Sequence, residues 1–278
     1  MLAIFLLPLA ILLYITASSS ANPIGGLCTV FLTGLVIGFT SLAQPSMLFF
    51  PGVLLIHELF QREKMIRVFA KLAIIVVGMT TVIGPWSMRN YRIFDAWVLI
   101  STNGGDVFYR ANNPLATGGW QPAAAISLGF DIGEVERDKK SYELGKQWIR
   151  ENPGAFLILA LRKQKLFFDD DSAGAYHTFQ RSSQNDSRYF LFRAVSNLYW
   201  WGLWALAFAA FSYHLKAWGA QIPGTTILIL SLVYLLSIHS VYESHHRYHV
   251  PLIGVLAILV SLLAYPIDGS TQKEEKHV

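Results

Sequence analysis

Seven consecutive residues, Glu243-Ser-His-His-Arg-Tyr-His249, place one carboxylate, one guanidinium and three imidazoles between two apolar segments. Ionisable groups at the edge of a membrane are costly enough to point to function. Arg247 can clamp a phosphate through two parallel N–H donors, which a lysine cannot do. Glu243 and Arg247 are four residues apart and simply pair with each other if a helix runs through them. His245 and His249 have the same spacing, and with His239 they form an alternative zinc set. No carboxylate or cysteine completes a metal motif, so no metal is expected. The remaining alternative is a solvated loop with aromatic and basic interfacial anchors.

Three further groups carry charge. Arg89 and Arg92 follow Trp86 where an apolar segment ends, and suit a lipid phosphate or generic anchoring at the interface. Arg162, Lys163 and Lys165 lie on an otherwise apolar segment and suit anionic headgroups or a phosphorylated substrate. Asp169, Asp170 and Asp171 offer oxygens to a divalent ion, or form a solvated acidic turn. Asn185-Asp186-Ser187 is a short glycosylation sequon of the kind that arises by chance. The sequence holds no phosphate-binding glycine loop, dinucleotide fingerprint or Ser-His-Asp order, so it gives no ground for an ATPase or a dehydrogenase.

The elements that must position these groups are mostly apolar. The chain has 278 residues, 53% hydrophobic and 14% charged, with a net charge of +4 and a single cysteine, Cys28. Soluble domains carry about 25% charged residues. The first charged side chain is Glu58, and none occurs in 72–88, 194–215, 217–242 or 248–267. Such runs match the roughly 20 apolar residues of a spanning helix. The basic residues sit at segment edges and in one polar insert, which argues against a nucleic-acid partner. Met1–Ala17 lacks the positive start of a cleavable signal and reads as a membrane helix.

The reading is a mainly α membrane protein of about seven transmembrane helices with a small mixed α/β extracytoplasmic insert. Four helices occupy 1–86, split at 18–23, at Gln44-Pro45-Ser46 and near Arg62. The insert is 87–187, three helices occupy 188–267, and 268–278 is a cytoplasmic tail. Arg62, Lys64, Arg67 and Lys71 place their connection inside and the insert outside the cytoplasmic membrane. Within the insert, Val98–Ile100 and Val107–Tyr109 read as strands around an Asn103-Gly104-Gly105 turn. Val135, Tyr142, Leu144, Trp148 and Ile149 approximate helical spacing up to a stop at Asn152-Pro153-Gly154. Residues 153–168 read as an amphipathic helix on the membrane surface.

Several blocks, in order, resemble the GT-C superfamily of integral-membrane glycosyltransferases, most closely the bacterial relatives of dolichyl-phosphate-mannose protein mannosyltransferases and of lipid A aminoarabinose transferases. They are Gly34 to Ser46, Pro85 to Tyr91, Ile100 to Gly105 with Asn112 to Pro114, Trp148 to Gly154 with Leu161 to Lys163, and Arg247 to Leu252. The resemblance implies transfer of a sugar from a polyprenyl-phosphate carrier to an extracytoplasmic acceptor, without a cofactor. It assigns the lipid phosphate to Arg247, Tyr248, Arg89 and Lys163. It offers Asn103, Asn112, Glu243 and His246 as sugar or acceptor contacts. The family's catalytic carboxylate, in its first outer loop, has no counterpart here, and Gln44 stands where many relatives have Arg. The chain thus resembles the carboxyl-terminal part of such an enzyme. That leaves two roles open: part of a transferase, with a complementary amino-terminal subunit as partner, or a non-catalytic membrane subunit that binds the lipid carrier.

Overall fold

The structure is a computed structural model that describes residues 2–20, 22–120, 128, 132–180, 187–216, 224–261 and 263. The tail, the sequon's Asn185 and Asp186 and residues 217–223 lie outside the described residues. Among the described residues the fold is all helix: α1 (Leu2–Ser18), α2 (Pro23–Ala43), α3 (Phe50–Phe60), α4 (Met65–Phe94), α5 (Gly104–Ala111), α6 (Glu134–Glu151), α7 (Pro153–Phe168), the single turn α8 (Ala173–Ala175), α9 (Arg188–Lys216), α10 (Thr225–Val241) and α11 (Val250–Ser261).

Local chemistry sets many of these boundaries. Asn22 caps α2 by accepting the amides of Ile24 and Gly25 at 3.1 and 3.3 Å, with Pro23 preset at the first helical position. Pro45 then ends α2, because the residue before a proline avoids helical geometry. The chain continues through a 3-10 turn, Pro45–Phe49, into α3. Asn152 and Pro153 separate α6 from α7.

Glycine brings the apolar helices close together. A Cβ on Gly34 would lie 2.3 Å from the Ile75 carbonyl oxygen, and one on Gly78 would lie 2.6 Å from that of Phe31. Gly38 meets Met79 and Val82 one turn further on, so α2 and α4 run parallel in backbone contact. Gly254 of α11 makes the same kind of approach to Ile4 and Pro8 of α1. Leu7, Ile11, Ile37, Leu54, Ile75, Ile227 and Val255 fill the space between the helices. The outward faces stay apolar as well, with Phe5, Phe39, Val77, Leu198 and Phe208 exposed.

One polar cluster interrupts this core. Glu58 of α3 is buried, accepts the Tyr14 hydroxyl of α1, and pairs with Lys71 of α4 at 2.8 Å. His57 packs edge-on to Tyr14 with its Nδ1 buried and unpartnered. Beside this cluster, Gly224 at the start of α10 packs on Ile15. The other end of α10 lies 17 residues on, at Val241, about 26 Å away at 1.5 Å per residue.

Three sequence expectations change. No strand occurs among the described residues of the insert. Residues 98–100 are irregular because α4 takes their carbonyls: Trp86 Nε1 donates to Ile100 at 2.8 Å, Ser87 Oγ to Leu99 at 2.7 Å, and Asn90 Nδ2 to Val98 at 3.1 Å. Those bonds also explain why α4 runs through Pro85 to Phe94 instead of ending near Trp86. Val107–Tyr109 lies inside α5, where packing overrides β-propensity. Phe108 faces Tyr142 of α6 with ring centroids 5.4 Å apart and covers Gly145. Asn103-Gly104-Gly105 is accordingly the start of a helix and not a hairpin turn. Third, two described helices, Pro23–Ala43 and Met65–Phe94, are long and apolar enough to cross a membrane, while α1, α10, α11 and the segment 45–60 are shorter apolar helices.

Candidate functional site

The connection between α10 and α11 collects contacts from α5, α6 and α7 of the insert. Each of its first residues is tied to a different partner. Val241, the last residue of α10, offers its carbonyl to Lys163 Nζ of α7 at 2.9 Å and to Asn112 Nδ2 at 2.8 Å. Tyr242 shares a 3.3 Å hydroxyl contact with Tyr142 of α6 and packs edge-on to Phe108 of α5. Glu243 lies 3.4 Å from Arg110 Nε and accepts the Tyr248 hydroxyl at 2.6 Å. The Ser244 amide donates to the Gly118 carbonyl at 2.9 Å.

Lys163 is fully buried, and all three of its donors meet neutral oxygens: Asn112 Oδ1 at 2.9 Å, the Val241 carbonyl at 2.9 Å and the Ser240 carbonyl at 3.4 Å. These carbonyls are the exposed acceptors at the C-terminus of a helix, which carries partial negative charge, so the ammonium caps α10. No carboxylate forms an ion pair with it among the described residues, and burial pushes its pKa down to about 7. Gly118 covers the lysine stem. With φ at +96°, it adopts a backbone that L-residues rarely take, and a Cβ there would sit 3.3 Å from Lys163 Cγ.

Arg110 balances two acids. It lies 3.5 Å from Asp106 one turn back on α5 and 3.4 Å from the buried Glu243. Tyr248 has one hydroxyl hydrogen and gives it to Glu243, leaving none to donate to a phosphate. Tyr142 is held above its ordinary pKa by burial and then by its Tyr242 contact. Asp138 of α6 is likewise pushed up by burial while it accepts the Gly105 amide at 2.6 Å.

A second face of the same connection is aromatic. His249 is buried, stacks on Trp200 of α9 with centroids 3.9 Å apart, and places Nε2 3.1 Å from Asp171 and Nδ1 3.3 Å from the Phe167 carbonyl. The Asn197 side chain accepts the Asp171 amide at 2.7 Å. His239 stacks on Phe167 and directs Nδ1 to the Glu243 carbonyl at 3.3 Å. His239 and His249 are thus turned toward protein oxygens. Among the described residues no group of three or more His, Cys, Asp or Glu is arranged to hold a metal ion.

Of the sequence candidates, Lys163, Asn112, Glu243 and Tyr248 come together in this network. The backbone of His246 and Arg247 lies in the 3-10 turn His246–His249, between tied neighbours, and their side chains lie outside the described residues. Arg89 is exposed on α4, with its guanidinium 4.9 Å over the Trp86 ring and a 3.0 Å bond to Asn90 Oδ1. Asn103 is exposed at the start of α5, and its side chain makes no capping bond. Sequence reasoning missed Arg110 and Asp106. Their signal is an acid–base pair at i,i+4, which becomes visible once 104–111 is read as a helix.

No known protein-family profile matches the chain, and neither curated proteins nor solved structures provide a match.

Proposed function

We propose that this chain is a membrane glycosyltransferase of the GT-C type, or the carboxyl-terminal portion of one, that takes a sugar from a polyprenyl-phosphate carrier at the extracytoplasmic side. The observation that carries this reading is the tied connection at 241–249. It gathers four residues that the sequence resemblance assigns to donor and acceptor, and it fixes the backbone on both sides of Arg247. Arg247 then meets the departing lipid phosphate, and the exposed Arg89 supplies a second cation at the start of the insert. Lys163, Asn112 and Tyr248 serve as the frame: their donors are already committed to protein oxygens.

Membrane residence is supported by the exposed apolar faces and by the alternation of helix directions. The α2–α4 contact runs parallel, the α1–α2 connection is a short reversal, and α10 runs from the Glu58 end to the insert end. These directions suit seven legs: α1, α2, the segment 45–60, α4, α9, α10 and α11. The insert and the surface helix α7 then lie outside. On α7, Leu159, Lys163 and Phe167 face inward, while Leu157, Ile158 and Leu161 are exposed beside the basic Arg162 and Lys165. That pattern suits a helix lying in the headgroup layer.

The second reading, a non-catalytic subunit that binds the lipid carrier, is favoured by one specific observation. Five carboxylates around the connection are engaged: Glu243 and Asp106 with Arg110, Asp138 with Gly105, Asp170 with Arg193 and Asp171 with His249. On this reading none of the five is the base that deprotonates an acceptor hydroxyl, and a partner chain supplies it. Both readings require phosphate-dependent binding of the carrier. Reconstituted in phosphatidylcholine vesicles, the chain is expected to bind a polyprenyl phosphate in preference to the polyprenol, and Arg247→Ala to abolish the preference. Equal binding of the two lipids by the unaltered chain overturns the proposal. Sugar transfer by the purified chain alone decides for the enzyme over the subunit.

A further inference from the structure

We infer that Arg110, on the insert helix α5, is the positioning residue that sets the Arg247-Tyr248 segment for its anionic ligand. This inference rests on the phosphate-binding reading of that segment. Arg110 reaches Glu243 at 3.4 Å, and Glu243 accepts the Tyr248 hydroxyl at 2.6 Å, so one chain of contacts joins the insert to the residue next to Arg247. Glu243 is buried, and its charge is tolerable only beside a compensating cation. Asp106 braces the other side of Arg110 from one turn back. Two residues along, just past the end of α5, Asn112 grips the Val241 carbonyl, so α5 and its cap meet this connection at three points: 108 with 242, 110 with 243, and 112 with 241. These ties fix where α5 stands; the Arg110 tie alone continues through a side chain into the 3-10 turn that carries Arg247.

Removing the Arg110 charge leaves Glu243 buried with less compensation. The acid then draws on whatever other cation or donor it can reach, and that rearrangement moves the Tyr248 hydroxyl and the turn. Ligand binding therefore loses affinity although Arg110 itself touches no ligand. The chemical class of the ligand follows from the proposed function: a phosphate monoester on an apolar chain, for which Arg247 is the one guanidinium of residues 241–249.

The test measures binding of a polyprenyl phosphate, in phosphatidylcholine vesicles, to the full chain and its variants, with the polyprenol as reference. Arg110→Gln is expected to weaken phosphate-dependent binding about tenfold, in the range of couplings between contacting residues. The exchange of charges, Arg110→Glu with Glu243→Arg, is expected to restore most of that loss. Thermal melting in detergent identifies variants that fail to fold; if Arg110→Gln is one of them, Arg110→Lys and the exchanged pair carry the test. If the unaltered chain prefers the phosphate and Arg110→Gln binds as tightly, the positioning role is overturned while the functional reading stands. A tenfold loss that the exchange leaves unrepaired also overturns it. If the unaltered chain shows no preference for the phosphate, the functional reading falls, and this inference with it.

Discussion

Toward each end of α10 lies a lysine that meets buried oxygen, and the two are solved differently: Lys71 is partly exposed beside the buried Glu58, whereas Lys163 is fully buried. Lys71, near the Gly224 end, shares a carboxylate oxygen of Glu58 with the Tyr14 hydroxyl, all within three bundle helices. Lys163, at the Val241 end, has neutral oxygens only, drawn from α10 and from the stretch after α5. The first arrangement is a closed ion pair that fixes how α1, α3 and α4 meet. The second is a helix cap that also attaches the insert to the bundle. A buried pair is lost as a whole when one partner goes, whereas a cation held by dipoles keeps part of its desolvation cost in the native state.

That contrast is broken most sharply at Glu58. Glu58→Gln strips Lys71 of its counter-charge and is expected to destabilise the fold by about 3 kcal/mol, the low end for a broken buried pair because Lys71 keeps some solvent contact; denaturant unfolding in detergent micelles checks it. Lys163→Met comes next. It removes the charge but takes the lysine donor from Asn112 Oδ1 and the Ser240 carbonyl, while Val241 keeps its Asn112 bond, for an expected loss of about 2 kcal/mol near pH 7.

Its pH dependence sharpens the comparison further. With a folded pKa of about 7, below the unfolded value, the native state binds fewer protons than the unfolded chain between pH 7 and the ordinary lysine range. The burial penalty is therefore full below pH 7 and is relieved as pH rises through that window. Relative to Lys163→Met, the unaltered chain should gain stability with a slope on the order of 1 kcal/mol per pH unit. Equal slopes in the two proteins would show that Lys163 keeps its charge throughout.

A smaller effect is expected at Gly118. Gly118→Ala is strained at φ +96° and crowds the Lys163 stem, costing about 1 kcal/mol, read as a drop in melting temperature. The smallest is Arg193→Ala. The Arg193–Asp170 contact is 2.7 Å, but the arginine is about half exposed, so solvent screening limits the loss to below about 1 kcal/mol.

Much of the helical layout was legible because it is written locally. Asn22-Pro23 starts α2, Pro45 ends it, Asn152-Pro153 divides α6 from α7, and apolar runs mark the helices between them. The end of α4 was not legible. It depends on Trp86, Ser87 and Asn90 reaching carbonyls that return 8 to 14 residues later. The 107–109 strand failed for a related reason: Val, Phe and Tyr favour strands in isolation, and the partner that makes them helical, Gly145 beneath Phe108, is 37 residues away. At the candidate site the residue types were visible, but not their roles. Lys163 stands out in sequence as a free cation and is in fact spent on Asn112 and Val241, 51 and 78 residues distant. Arg110 was hidden behind the mistaken strand.

The unbroken length of α4 has a mechanical consequence. Thirty helical residues make a rod of about 45 Å, against a hydrocarbon layer of about 30 Å. Lys71 near one end and Asn90 near the other are therefore carried on a single stiff body. A bilayer of different thickness can be met only by tilting that rod. Because its far end grips residues 98–100, in the membrane orientation proposed above any tilt would swing the root of the insert relative to α10, making the geometry at the 241–249 connection sensitive to bilayer thickness.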